Sequence, residues 1–220
     1  MAERPIMFSA PMVRALLAGT KTQTRRVLHP QPPSGYALLG IYAPRLTAVF
    51  NPGGRDRPAD PDWDVPIRLP CKPGDRLWVR EAFCAGRPAL PSGIGIIPER
   101  RGSIDPTMKV EFAADWGEFD PPPWRSPRFM PRWASRLTLQ VTSVRVQRLH
   151  EISEADAIAE GVSIQQFGWH GSVPADGAHE HIGSYAALWE HLHGPGSWDA
   201  NPWVAAITFR VLRDNIDNLT

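Results

Sequence analysis

The chain has 220 residues, 42% hydrophobic and 21% charged, with a formal net charge of +1. This composition suits an ordinary folded domain with a sizeable core. The near-neutral balance excludes a global field for gripping a nucleic-acid backbone, so any nucleotide contact must come from a local patch. No apolar run approaches the ~20 residues of a membrane span. The first eight residues, ending in Ile6-Met7-Phe8, lack the apolar stretch of a signal peptide. The two cysteines, Cys71 and Cys84, make no disulfide framework. Reduced thiols, a cytoplasmic location and no membrane partner are therefore expected. The 24 prolines limit regular structure, each fixing φ and removing a donor. Lysine stands only at positions 21, 72 and 109, while arginine fills every other basic position. Arginine stays charged in proteins, whereas a lysine in a dry site can lose its proton, so a retained lysine at 21 points towards proton chemistry.

In chain order, Ser9 is placed to cap a helix and Pro11 suits its first turn. Met12, Ala15, Leu16 and Leu17 form an apolar stripe at helical spacing, and Gly19 is the natural stop. Thr20 to Val27 is β-branched and polar, and reads as a strand. Residues 28–70 are proline-rich and read as an insertion with one or two short strands, such as Leu46–Phe50. Lys72-Pro73-Gly74-Asp75 is a turn that leads into a strand over Arg76–Phe83. Residues 85–132 form a second insertion, with a strand expected at Lys109–Ala113. Arg136–Leu149 alternates well and is a long strand. Ser153-Glu154-Ala155-Asp156 resembles a capping box and opens a helix to Glu160 that stops at Gly161. Residues 163–182 read as loop, Tyr185–Leu192 as an amphipathic helix and Trp203–Val211 as the closing strand. The order does not alternate as βαβ. It predicts an α+β fold, a small closed or nearly closed barrel with helices at its mouth.

Four blocks carry a resemblance to the ASCH family of the PUA-like β-barrel superfamily. They are Leu17-Ala18-Gly19-Thr20-Lys21-Thr22-Gln23-Thr24-Arg25; Lys72-Pro73-Gly74-Asp75-Arg76-Leu77-Trp78-Val79; Leu137–Val146 running into Ile152–Gly161; and Trp198–Phe209. Each block alone is a weak motif, and their shared order is the specific feature. The resemblance implies a single PUA-like domain over 1–213, enlarged by insertions at about 28–70 and 85–132, with a polar tail over 214–220. Small ASCH proteins include 4-N-acetylcytidine amidohydrolases. Their proposed site, a lysine and a threonine three residues apart after the glycine with a later helical glutamate, matches Lys21, Thr24 and Glu160 here. The family also contains members proposed to bind RNA and a reported ribonuclease.

Amide hydrolysis at the cytosine 4-amino group needs a nucleophile, a proton acceptor and a proton donor for the departing amine. Thr24 offers the hydroxyl, a neutral Lys21 takes its proton, and Glu160 orients the ammonium. A carboxylate beside Lys21 favours the charged amine, so either a dry pocket wins or the pair titrates as a unit with Glu160 as acceptor. In a regular strand residues 21 and 24 face opposite sides, so an irregular start to this strand is expected. Each residue also has an ordinary structural reading: Lys21 as a helix-end cation, Thr24 as a strand former, Glu160 as a solvated last-turn residue.

Arg25 and Arg26 are candidates for contacts to sugar, phosphate or a pyrimidine carbonyl, Arg26 the more so. Arg80 and Glu81 at the barrel mouth, and Trp133 as a base-stacking ring, complete the substrate-binding candidates. Trp78, Trp189, Trp198 and Trp203 read as core or cover. His170, His179, His181, His191 and His193 lack metal-ligand spacing, so no metal is expected. The expected function is removal of the acyl group from 4-N-acylated cytidine, giving cytidine and a carboxylic acid without a cofactor. The expected partner is a small modified nucleoside. The alternatives are an RNA or modified-base binding module without turnover and an ASCH-type ribonuclease.

Overall fold

The computed structural model describes residues 1–44, 46–56, 58–88, 96–98, 104–116, 123–162 and 180–219. In chain order its elements are β1 (Glu3–Met7), α1 (Ala10–Ala18), β2 (Gln23–Val27), β3 (Ala37–Tyr42), β4 (Thr47–Asn51), β5 (Val65–Arg68), β6 (Arg76–Arg80), β7 (Phe83–Pro88), β8 (Ile96–Pro98), β9 (Lys109–Phe112), β10 (Thr138–Arg148), α2 (Glu154–Ala159), α3 (Glu180–His193) and β11 (Trp203–Leu212). The fold is mixed α+β, mostly strands with few helices. Among the described residues no helix is long and apolar enough to cross a membrane. The chain divides into two compact units. One comprises Met1–Gly19, Asp75–Gln140 and Arg210–Thr220, the other Thr20–Gly74 and Val141–Phe209.

In the first unit β1 runs parallel to β6, from Glu3 opposite Arg76 to Met7 opposite Arg80, and the start of β10 pairs antiparallel with β6. The sequence gives little sign of β1, because Pro5 breaks the pattern. An edge strand tolerates proline, since a missing N–H there costs no ladder bond. The Asp75 carboxylate accepts from the Ala2 N–H at 2.7 Å, which ties the N-terminal residues to the turn before β6. The expected strand over Arg76–Phe83 is two strands. β6 ends at Arg80, and β7 opens a separate sheet of order β8-β7-β9. The break falls at Glu81, whose N–H donates to the Met130 sulfur at 3.3 Å. Phe83, Ala85, Met130 and Ala134 form an apolar cluster against which Val110, Phe112 and Trp133 pack.

In the second unit β2 pairs antiparallel with β11, Gln23 opposite Thr208 through Val27 opposite Val204. The first insertion carries more structure than the one or two strands expected. β3, β4 and β5 form an antiparallel sheet with an irregularity between Leu38 and Gly40. Ala48 and Phe50 on β4 are fully buried, and the Phe50 ring meets Trp203 edge-on at 4.9 Å. This aromatic contact anchors the insertion's sheet on β11. Helix α1 ends as expected at Gly19, whose φ of 77° is left-handed. Its buried positions are Val13 and Leu16. α3 begins five residues earlier than the apolar pattern suggests.

Residues after Arg213 are a correction to the expected polar tail. Ile216 is fully buried, and a short turn over Ile216–Asn218 forms. The Asn215 side-chain amide donates to the carbonyls of Arg132, Trp133 and Ser135 at 2.9, 3.1 and 2.7 Å. One polar side chain thus ties the C-terminus to the segment before β10. Asn215→Ala leaves these carbonyls without that donor and should cost about 1–3 kcal/mol. Urea unfolding checks this, and a variant as stable as wild type would show the docking to be incidental.

Candidate active site

The site begins at an irregular join. After Gly19 the chain does not enter a regular strand at once. Lys21 makes an isolated antiparallel bridge with Glu160, and β2 becomes regular only at Gln23. The Thr22 N–H donates to Ala159 O at 2.8 Å, and the Thr22 carbonyl accepts from the Phe209 N–H at 3.0 Å. The expected irregular start of this strand is therefore present. On the other side α2 is capped by Ser153, which accepts from the Asp156 N–H at 3.2 Å. Glu160 is the last helical-conformation residue before Gly161, whose φ of 78° turns the chain away. Backbone pairing alone brings Lys21 and Glu160 face to face across 139 positions of sequence.

Their side chains complete the contact. The Lys21 ammonium donates to Glu160 Oε2 at 2.8 Å and to the Glu160 carbonyl at 2.9 Å. Lys21 is 0% exposed and Glu160 4%. The second carboxylate oxygen is taken by Arg25, whose Nη1 donates to Glu160 Oε1 at 3.2 Å and to Gln23 Oε1 at 2.7 Å. Arg25 Nη2 donates to Asp156 Oδ2 at 2.8 Å. Gln23 Nε2 donates to Asp156 Oδ1 at 3.1 Å, and Arg145 Nη2 donates to both Asp156 oxygens at 2.8 and 3.0 Å. Two periodicities explain the convergence. Positions 23 and 25 share one face of a strand, and positions 156 and 160 share one face of a helix.

The electrostatics follow from burial. Desolvation pushes the Lys21 ammonium below its ordinary value of 10.5, against the pull of Glu160, and the like charges of Arg26 and Arg25 push the same way. Desolvation also lifts the Tyr185 phenol well above its usual range, with the Glu160 charge adding to the rise. Desolvation opposes the charged form of Asp156 as well. Hydrogen bonds from Gln23 and Arg145, with the charges of Arg25 and Arg145, outweigh it and hold the carboxyl below the usual range. His193 on α3 is lowered by partial burial and by the Arg26 charge.

The sequence-predicted residues fall into two groups. Lys21, Thr24, Arg26 and Glu160 lie in the second unit. Thr24 is buried, but strand alternation turns it to the face opposite Gln23 and Arg25. Its hydroxyl has no hydrogen-bond partner among the described residues. Arg26 is half-buried and donates to the Arg25 carbonyl at 3.3 Å. Arg80, Glu81 and Trp133 lie in the first unit and are engaged there. The Arg80 guanidinium sits 4.5 Å from the centre of the Trp78 ring. Glu81 is fully buried and held by Arg136 through two bonds of 2.9 and 3.0 Å. Trp133 packs on the apolar cluster beside β7. Arg25, a candidate for sugar or phosphate contact, is instead spent on Glu160 and Asp156.

Asp156, Gln23, Arg145 and Tyr185 were not singled out by sequence. The signals were present: alternating Lys21, Gln23 and Arg25, and the i,i+4 pair Asp156 and Glu160. The same Asp156 reads equally well as a helix-capping residue. Trp78, Trp189 and Trp203 are buried, as expected. Among the described residues no group of three or more His, Cys, Asp or Glu is arranged to hold a metal. His181 Nδ1 meets Glu154 Oε1 at 2.5 Å, and the His193 ring lies 4.2 Å from Trp189. His170 and His179 lie outside the described residues.

No family model matches the chain, and no curated protein or solved structure matches it significantly. The site is therefore read from its own chemistry: a desolvated lysine that shares a carboxylate with a guanidinium.

A lysine lowered on folding binds fewer protons folded than unfolded between its two pKa values, so its contribution to stability grows as pH rises through that window. The stability advantage of wild type over Lys21→Met should therefore increase between about pH 7 and about pH 9.5, by at most about 1.4 kcal/mol per unit. Urea unfolding at the two pH values measures it. An advantage that stays constant or shrinks would contradict this account of Lys21.

Proposed function

We propose that the chain is an amidohydrolase that removes the acyl group from 4-N-acylated cytidine, as nucleoside or base, giving cytidine and a carboxylic acid. The observation that carries the reading is the fully buried Lys21, lowered by desolvation and hydrogen-bonded at 2.8 Å to Glu160. A lysine held this way gives up its proton more readily than an exposed lysine. The pair occupies the positions that the ASCH resemblance implies. The same resemblance suggests a PUA-like barrel built on the β10-β11-β2 strand order and enlarged by the two insertions. α1 leading into β2 and α2 following β10 support that topology.

In the proposed reaction the Thr24 hydroxyl attacks the acyl carbonyl while neutral Lys21 takes its proton. Collapse of the tetrahedral intermediate breaks the bond to the cytosine 4-nitrogen. That nitrogen leaves with the proton from Lys21. Water then cleaves the acyl-threonine ester, again through Lys21, and releases the carboxylic acid. Glu160 orients the ammonium and stabilises it when formed. The strand turns Thr24 to the face opposite Gln23 and Arg25, which weighs against this route. A water molecule activated by the same pair is the competing nucleophile.

Purified wild type should hydrolyse acetyl- or benzoyl-cytidine, and Lys21→Met should lower kcat/KM by roughly 10²–10⁴-fold while remaining folded. Equal loss in Thr24→Ala supports the acyl-threonine route. A full rate in Thr24→Ala transfers the attack to water. If wild type leaves both substrates intact, the hydrolase reading fails.

A further inference from the structure

The unabsorbed feature of the site is Arg25. Its side chain is 0% exposed, and it sits between the carboxylates of Asp156 on α2 and of Glu160 just after it. Surface arginines bind ligands through guanidinium faces left open to them. This one is turned wholly inwards, with Nη1 on Glu160 and Gln23 and Nη2 on Asp156. Burying a permanent charge this completely is costly, and the site provides a dedicated anchor for it in Asp156. Asp156 is itself braced by Gln23 from β2 and by Arg145 from β10.

We infer that Arg25 is a positioning residue. Anchored on Asp156, its guanidinium holds Oε1 of Glu160 while Lys21 takes Oε2, so that the carboxylate's charge is shared between two cations. The inference rests on the reading of Lys21 and Glu160 as the acid–base pair, and it explains how that pair works. A lysine alone against a buried glutamate would be locked as the ammonium. Arginine cannot release its proton, so of the two cations sharing Glu160 the lysine is the one that can. The groups facing this pair are Arg25 and Arg26 from the same strand, Asp156 from α2 with Glu160 just after it, and Tyr185 from α3. Arg145 reaches Asp156 from β10.

The signs are distinct for each group. Removing the Arg25 charge leaves Lys21 a larger share of Glu160, which Tyr185 and Arg26 also face, and removes a repulsion, so the acid limb of the kcat/KM profile moves to higher pH. Removing the Asp156 charge leaves both cations in place, so the limb does not rise.

The test is the pH profile of wild type, Arg25→Gln, Arg25→Lys and Asp156→Asn on 4-N-acetylcytidine, with folding checked by far-UV circular dichroism. Arg25→Gln should lose about tenfold in rate below the limb for each unit it moves and recover at high pH, with KM little changed. Arg25→Lys keeps a charge and should leave the limb in place while kcat falls. A loss equal at every pH in Arg25→Gln, or an upward limb in Asp156→Asn, would overturn the inference.

A second readout needs no turnover. The chain has only three lysines, Lys21, Lys72 and Lys109. With labelled lysine, NMR therefore follows the Lys21 side chain directly, and Lys21→Arg assigns its signal. Its titration midpoint should rise in Arg25→Gln, or, if that variant does not fold, stay level or fall in Asp156→Asn. An unmoved midpoint in folded Arg25→Gln, or a raised one in Asp156→Asn, overturns the inference. A midpoint that moves with Arg25 in a protein that hydrolyses no acylcytidine would sink the hydrolase reading and leave the Arg25 coupling standing.

Discussion

The constraint on which the site depends is the cost of keeping charge away from water. Lys21, Arg25 and Glu160 are all but fully buried, and Asp156 is partly buried. Such a group is tolerable only if every charge finds a partner with good geometry. The cluster meets that demand: each carboxylate oxygen of Glu160 and Asp156 accepts from a cation or an amide. Removing one member of a buried pair typically costs about 3–5 kcal/mol, whereas the intact pair contributes little net stability. The cluster is thus better understood as a device that fixes the start of β2 against the end of α2 than as glue.

That device also sets the chemistry. Desolvation works against the ammonium of Lys21, while Glu160 works for it. The outcome turns on how much of the carboxylate the lysine actually holds, and Arg25 holds part of it. The irregular join after Gly19 matters for the same reason. A strand that became regular at Thr20 would set its ladder without the isolated bridge that places Lys21 against Glu160. The first unit shows a parallel solution at Glu81. There a fully buried carboxylate is raised by desolvation, yet a two-pronged bond from Arg136 keeps it partnered. Arg136 also lies over the Phe112 ring at 4.0 Å and meets Asp115, so this arginine links the break after β6 to the end of β9.

Much of the architecture was legible because short-range rules decided it. Gly19 and Gly161 stop their helices in left-handed conformations, β10 forms as one long strand, and Ser153 caps α2. The elements that escaped are those whose stability is not local. β1 contains a proline and exists because β6 offers a partner. β3 and β5 lie in a proline-rich stretch and are held by β4 and its Phe50 contact. The C-terminal residues look polar because only Ile216 among the described ones is buried, while hydrogen bonds through Asn215, Asp217 and the Asp214 and Leu219 carbonyls do the rest of the docking.

The sequence by itself determined the α+β class, the helix ends and the long strand, which rest on residue type and local period. Lys21 and Glu160 became a candidate centre through the ASCH resemblance, not through any local period. Only the tertiary structure decided which side chains share the buried space. It turned Arg25 inwards to Asp156 and Glu160, set Thr24 on the opposite face of β2, and gave Glu81 to Arg136. Those outcomes depend on which strand face meets which helix face. In a dry interior every charge must take the partner that folding brings within about 3 Å, and no sequence spacing carries that distance.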